Sequence, residues 1–194
     1  MTRLNPDRKA RRAALIAERE ALSPLSRIHL TAELAAHLGE LLDRLNPQTL
    51  GFCWPFRGEP DLREFLSLWR AQGPGRLLAL PIVPETPGPL AFHTWRPGDP
   101  MVTDRFGIPA PQGTPQAAPD VVLVPVNGFD ARGYRIGYGG GFFDRTLAAL
   151  RPAPIAVGVG FEIARVDDVL PEPHDLPLDW MVTEVGVVVS PAAC

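Results

Sequence analysis

Residues 121–150, VVLVPVNGFDARGYRIGYGGGFFDRTLAAL, constrain this chain more than any other stretch. They open with an apolar run that reads as a buried strand and close in a helical pattern beginning near Phe142. Between the two lies a loop, residues 133–144, holding Gly133, Arg135, Gly137, Gly139, Gly140 and Gly141. Strand, glycine loop and helix in that order suit a phosphate. Glycines let backbone N–H groups approach an anion without Cβ interference, and the helix adds unpaired amides and the positive end of its dipole. Arg135 offers a fork of donors to phosphate oxygens, and Asp144 is a hard oxygen ligand suited to magnesium carried by a nucleotide. A second reading stands beside this one: FDARGYR also suits a turn joining two strands. Known nucleotide loops do not fit. A Walker loop needs GxxxxGK followed by Ser or Thr, and a dinucleotide fingerprint needs an acidic residue about twenty positions on.

A chain of 194 residues that is 45% hydrophobic suits one domain with a substantial core. Its net charge of -3 and pI near 5.8 argue against broad nucleic-acid binding, which needs a basic surface. Lys9 is the single lysine, so arginine carries nearly every cationic contact. Cys53 and Cys194 form neither a disulfide framework nor metal-ligand spacing, which points to a reducing compartment. No apolar run has the length of a membrane span or the pattern of a signal peptide, and the expectation is a soluble, cytoplasmic protein.

Residues 6–21 favour a helix, with Asn5 as cap and Pro6 in the first turn, and Arg8, Lys9, Arg11, Arg12 and Arg19 on its polar surface. That surface reads either as a solvated basic face or as one reaching toward a phosphate. Residues 24–45 form a second helix, whose Ile28, Leu30, Leu34, Leu38, Leu41 and Leu42 predict a core-facing layer ending at Asn46 and Pro47. A strand at 49–54 and a helix at 62–72 place Trp54, Phe56, Glu59 and Asp61 at a strand's carboxyl end, where open parallel sheets bind ligands. There the aromatics either cover the core edge or stack on a planar ring. Asp61 either caps the helix or joins a site. Residues 76–83, 90–95, 155–159 and 185–189 read as further strands, and 97–119 as a proline-rich irregular segment of the kind that covers sites. His174 beside Asp175 lacks partners at ligand spacing and reads as structure. Alternating strands and helices predict an α/β fold with a largely parallel sheet.

The run FDARGYRIGYGGGFFDR resembles the signature of the 5-formyltetrahydrofolate cyclo-ligase family, FD-x-x-G-x-R-LG-x-G-x-G-YYD. The family's first-helix motif, K-x-x-L-R, falls here on Arg8, Arg11 and Arg12, with Lys9 a rival for the lysine's role. Its Y-x-P-x-x-x-E-x-D motif matches Pro55, Glu59 and Asp61, with Cys53 in the tyrosine position. The glutamate of G-I-x-E-P is Ala110, the family's later glutamine is Ala164, and YYD is Phe142, Phe143 and Asp144. Two phenolic hydroxyls and one carboxylate are therefore absent.

The resemblance implies a single-domain, Rossmann-like three-layer sandwich with a mainly parallel sheet, spanning residues 1–194. It implies ATP-dependent closure of 5-formyltetrahydrofolate, with or without a polyglutamate tail, to 5,10-methenyltetrahydrofolate, by a monomer or small homo-oligomer. ATP would meet Arg8 or Lys9, Arg12, Arg135, Gly137, Gly139, Gly140 and Gly141. Folate would meet Trp54, Glu59, Tyr138 and Phe142. Magnesium would meet Asp144 and Asp179, and Arg135 and Phe143 would border the reacting groups. Two rival readings remain: a nucleotide-binding paralogue acting on another substrate, motivated by the departures above, and a non-catalytic protein binding RNA or another acidic partner through its first helix.

Overall fold

The computed structural model describes residues 6–191; the Asn5 cap and Cys194 fall outside them. Two helices come first, α1 (Pro6–Ala21) and α2 (Pro24–Leu45). Ser23 caps α2 by accepting the Ser26 N–H at 3.0 Å, and Asn46 ends it in a left-handed conformation, φ 44°. Then follow β1 (Thr49–Gly51), α3 (Arg63–Gln72), β2 (Leu77–Ile82), β3 (Ala91–Trp95), β4 (Met101–Thr103), β5 (Pro109–Pro111) and β6 (Gln116–Ala117). The second half holds β7 (Val121–Pro125), β8 (Gly128–Phe129), β9 (Arg135–Ile136), α4 (Phe142–Ala149), β10 (Ile155–Val159), a 3₁₀ turn (Glu162–Ala164), β11 (Trp180–Thr183) and β12 (Gly186–Val189).

Among the described residues the main sheet has the order β12-β11-β10-β7-β1-β2-β3-β6. Its five central strands, from β11 to β2, are parallel, while β12, β3 and β6 pair antiparallel at the edges. The largely parallel expectation therefore holds for the middle of the sheet. The parallel strands carry apolar runs because both faces are covered. One face takes Leu34, Leu38, Leu41 and Leu42 of α2 and Leu66 and Trp69 of α3 against Leu50, Leu123 and Val157. The other takes Phe142, Phe143 and Leu147 of α4 and Phe129 of β8 against Val122, Val124 and Ala156. Three layers result.

Strand order sets where a ligand goes. From β1 the chain moves to β2 on one side, whereas from β7 it moves to β10 and β11 on the other. The loops leaving β1 and β7 diverge, opening a crevice at their carboxyl ends. Asp120 fixes the register at the opposite end, its Oδ2 accepting the N–H groups of Gln48 and Thr49, each at 2.8 Å.

Some expectations change. The core stripe of α2 begins at Leu34, and Ile28 is 68% exposed, because the amino-terminal part of the helix runs past the covered sheet. The strand expected at 49–54 stops at Gly51, with one further bond from Phe52 N–H to Ala79 O (2.9 Å) before Pro55. Residues 97–119 are more regular than expected, since β4 and β5 form a hairpin and β6 extends the sheet. FDARGYR does form the turn of a hairpin, β8–β9, whose tip lies against Leu178 and Ser190. Gly133 at that tip has φ +85°, and a Cβ there would lie 2.3 Å from Ser190 Oγ. Gly133→Ala is expected to destabilise the protein by about 1–3 kcal/mol or more, measured by urea unfolding.

Candidate active site

The glycine loop is held in place largely by arginines that donate to backbone carbonyls. On α1, Arg8 and Arg19 are buried and Arg12 is half-buried. Arg8 Nη2 donates to Arg135 O (2.9 Å), Arg12 Nε to Gly137 O (2.6 Å) and Arg19 Nη1 to Val126 O (3.2 Å). Arg11 donates to the Asp168 carbonyl, and Lys9 is exposed. The inward-facing arginines share one stripe: at 100° per residue, Arg8, Arg12 and Arg19 fall within about 40° of one another. Arg8 and Arg19 are thus turned inward, leaving Lys9 and Arg11 as the exposed cations of that face. Arg8 is also paired with Asp175 at 2.7 Å, which gives the His174-Asp175 segment the structural role expected of it.

Arg135 and Asp144, both expected to face a nucleotide, face each other. Arg135 Nη2 lies 2.7 Å from Asp144 Oδ1, and its Nη1 donates to Leu176 O at 2.6 Å. Arg135 is buried, so its first job is to tie β9 to the opening turn of α4. Asp144 Oδ1 also accepts the Leu176 N–H (3.2 Å), leaving Oδ2 for a ligand. Gly141 precedes α4 in a left-handed conformation and no side chain caps the helix, so its first-turn amides stay available to an anion. The Arg12 guanidinium lies over Gly139, φ +90°, where a Cβ would come within 3.1 Å of Nη1. Burial, and then the neighbouring Arg8, lower the Arg12 pKa, a strain that an anion in the loop would relieve.

Across the crevice sits Glu59, its side chain 6% exposed. Its Oε1 accepts from Tyr138 Oη at 2.7 Å and its Oε2 from Phe56 N–H at 3.0 Å. Arg19 Nη2 donates to Tyr138 Oη at 2.9 Å and lies 4.0 Å from Glu59 Oε1. Burial raises the Glu59 pKa, opposed by Tyr138, Arg19 and the Phe56 amide. Tyr138, desolvated and beside that carboxylate, is pushed up as well. The Phe56 and Tyr138 rings lie 5.7 Å apart. Beside Glu59 a cavity of about 20 Å³, room for one water molecule, is lined by Phe52, Cys53, Pro55, Leu123, Pro125 and Val159. Burial, and then Glu59, raise the Cys53 thiol pKa.

Other expected contacts lie elsewhere. Trp54 packs edge-on against Trp95 at 6.0 Å, with Arg63 over its ring at 4.2 Å, so it belongs to the core edge. Asp61 accepts the Arg63 N–H (3.2 Å) and grips its guanidinium (2.6 Å). Phe143 packs onto the core under α4. Asp179 stands at the amino end of β11, away from the crevice, and its Oδ2 accepts the Ala156 N–H at 2.7 Å; that carboxylate serves the sheet. Ala110 is 5% exposed within β5. Residues not singled out from the sequence also border the loop. Arg145 donates to Gly140 O (2.8 Å) and lies over Phe142, while Phe106 of the β4–β5 turn meets Phe142 at 6.1 Å. For Arg19 the signal was its angular coincidence with Arg8 and Arg12. Phe106 gave none, because its approach depends on how a distant hairpin folds back.

Among the described residues no group of three or more His, Cys, Asp or Glu side chains is placed to hold a metal ion. A single carboxylate with one open oxygen, Asp144, fits magnesium that arrives mostly coordinated by phosphates and water.

A parallel-sheet crevice bordered by a glycine loop and a buried carboxylate defines an α/β protein with a candidate ligand site. Residues 5–184 match the model of the 5-formyltetrahydrofolate cyclo-ligase family, and the chain belongs to that enzyme family. It is 30% identical over 173 residues to the 5-formyltetrahydrofolate cyclo-ligase of Escherichia coli (strain K12), an alignment spanning 85% of this chain and 93% of that protein. With the cyclo-ligase of Mycolicibacterium smegmatis it shares 34% identity over 109 residues, 54% of this chain and 56% of that one. The NMR structure of Aquifex aeolicus 5,10-methenyltetrahydrofolate synthetase superposes with TM-score 0.81 at 25% identity, covering 94% of this chain and 92% of that one. The Mycoplasma pneumoniae synthetase shares the fold, with TM-score 0.74 at 22% identity, covering 92% of this chain and 99% of that one.

Asp144→Ala would leave Arg135 buried without its carboxylate. The expected cost is about 3 kcal/mol in urea unfolding without any ligand, whereas a residue serving only a bound metal would leave that stability unchanged.

Proposed function

We propose that this protein converts 5-formyltetrahydrofolate and ATP to 5,10-methenyltetrahydrofolate, ADP and phosphate. The observation that carries the reading is the 2.7 Å bond between Glu59 and Tyr138, which joins a buried acceptor for ring N–H groups to the glycine loop itself. The two halves of a two-substrate site thereby meet.

The chemistry asks for alignment and charge compensation. An N5-formyl group is an amide, so its oxygen leaves poorly when N10 attacks the carbon. Transfer of the γ-phosphoryl group to that oxygen makes it a phosphate ester. N10 then closes the five-membered ring, loses its proton, and phosphate departs with the C–O bonding pair to give the methenyl cation. No protein nucleophile is required.

Arg12 and the amides of residues 137–143 take the phosphates. Arg135 holds one oxygen of Asp144 so that Oδ2 faces the nucleotide, and magnesium bound there would offset phosphoryl charge. Arg8, already bonded to Asp175 and Arg135 O, supports the loop from behind. Glu59 accepts ring N–H groups of the folate, Phe56 and Tyr138 flank the ring, and Phe142 with Phe106 walls the outer side. Phe143 contributes packing under the loop.

The first test follows the absorbance of methenyltetrahydrofolate with purified protein, 5-formyltetrahydrofolate, magnesium and ATP. Product is expected with ATP and none without it. A folded protein that binds ATP yet forms no product would overturn the reading in favour of a paralogue with another substrate. Arg12→Ala, which also loses the bond to Gly137 O, is expected to raise the KM for ATP about tenfold or more with a smaller loss of thermal stability than Asp144→Ala.

A further inference from the structure

Arg19 is a buried charge that the proposed mechanism leaves unused. It is 3% exposed, and its donors reach three separate loops. Nε donates to Arg57 O (3.0 Å) in the loop after β1, Nη1 to Val126 O (3.2 Å) after β7, and Nη2 to Tyr138 Oη (2.9 Å) in the glycine loop. A guanidinium withdrawn this far from water needs a negative partner, and the buried carboxylate near it is Glu59 at 4.0 Å. Glu59 has the converse need, because its side chain is buried beside an apolar cavity.

We infer that Arg19 is a positioning residue for the folate ring: directly, and through the Tyr138 hydroxyl, it keeps Glu59 as the charged acceptor that ring N–H donors require. This rests on the substrate reading proposed above. The groups facing Glu59 are few. Arg19 approaches from α1, Tyr138 from the glycine loop, and Cys53 from the loop after β1. Arg57 lies beyond them with its side chain paired to Glu20 at 2.7 Å, and the cavity walls are uncharged. Arg19 is therefore the cation that acts on Glu59, beside the Tyr138 hydrogen bond.

The sign follows from the chemistry. Ring binding needs ionised Glu59, so affinity is lost as pH falls through the Glu59 pKa. Burial raises that pKa and Arg19 opposes the rise. Removing Arg19 moves the loss of affinity to higher pH.

The experiment is a fluorescence titration of 5-formyltetrahydrofolate, without ATP, from about pH 5 to pH 9. The proteins are wild type, Arg19→Gln, Arg19→Lys, Glu59→Gln and the Arg19→Gln/Glu59→Gln double variant, each checked for folding by thermal melt. The midpoint in Arg19→Gln is expected about one pH unit or more above wild type, equivalent to roughly tenfold weaker binding on the acidic limb. Arg19→Lys is expected to fall between the two, and the double variant to follow Glu59→Gln, which reports the ligand's own titration. Should Arg19→Gln fail to fold, the Arg19→Lys midpoint carries the same test. Weakened binding with an unshifted midpoint in the Arg19 variants would assign Arg19 to scaffolding and overturn the inference. Wild type that binds no folate, or Glu59→Gln that binds as wild type does, would instead overturn the substrate reading beneath it.

Discussion

Buried arginines give the loops of this site their shape. Arg8, Arg19 and Arg135 each donate to backbone carbonyls, and together they join α1, the loop after β1, the end of β7 and the glycine loop. A glycine-rich loop has little side-chain packing of its own, so donors from neighbouring elements must fix its path. Guanidinium suits the task. Its planar fork reaches several carbonyls at once and remains charged when buried, which an ammonium does less reliably.

The same arrangement couples the two halves of the crevice. Tyr138 belongs to the glycine loop yet bonds to Glu59, and Arg135 belongs to the hairpin yet holds Asp144 at the head of α4. A phosphate binding between Arg12 and α4 and a ring binding at Glu59 would share one small scaffold. Sheet topology places that scaffold: β1 and β7 send their chains apart, and the loops that must diverge are those that carry the candidate ligand groups.

Much of this was legible in the residues. The strand at β7, the helix at α4 and the glycines between them follow from hydrophobic pattern and turn chemistry, and α2 announces its end with Asn46. Short strands were harder to read. β6 is two residues long and β11 sits in a proline-rich motif; such strands are defined by the neighbours they pair with and carry almost no local signal. Side-chain partners were harder still. Asp61 fits a loop near the crevice, yet it closes on Arg63, whose guanidinium lies over Trp54 at the core edge.

By itself the sequence determined the α/β class, the glycine loop with its arginine and aspartate, and the glutamate that follows β1, because each depends on local pattern or motif spacing. Tertiary structure alone decided that Arg135 and Asp144 would pair with each other and that Asp179 would bond the sheet. It alone decided that the stripe of arginines on α1 would point inward. A charged side chain is satisfied by whichever opposite charge or carbonyl the fold brings within about 3 Å, and sequence distance does not limit that choice. Arg8 and Arg135 lie 127 positions apart and still share a hydrogen bond of 2.9 Å.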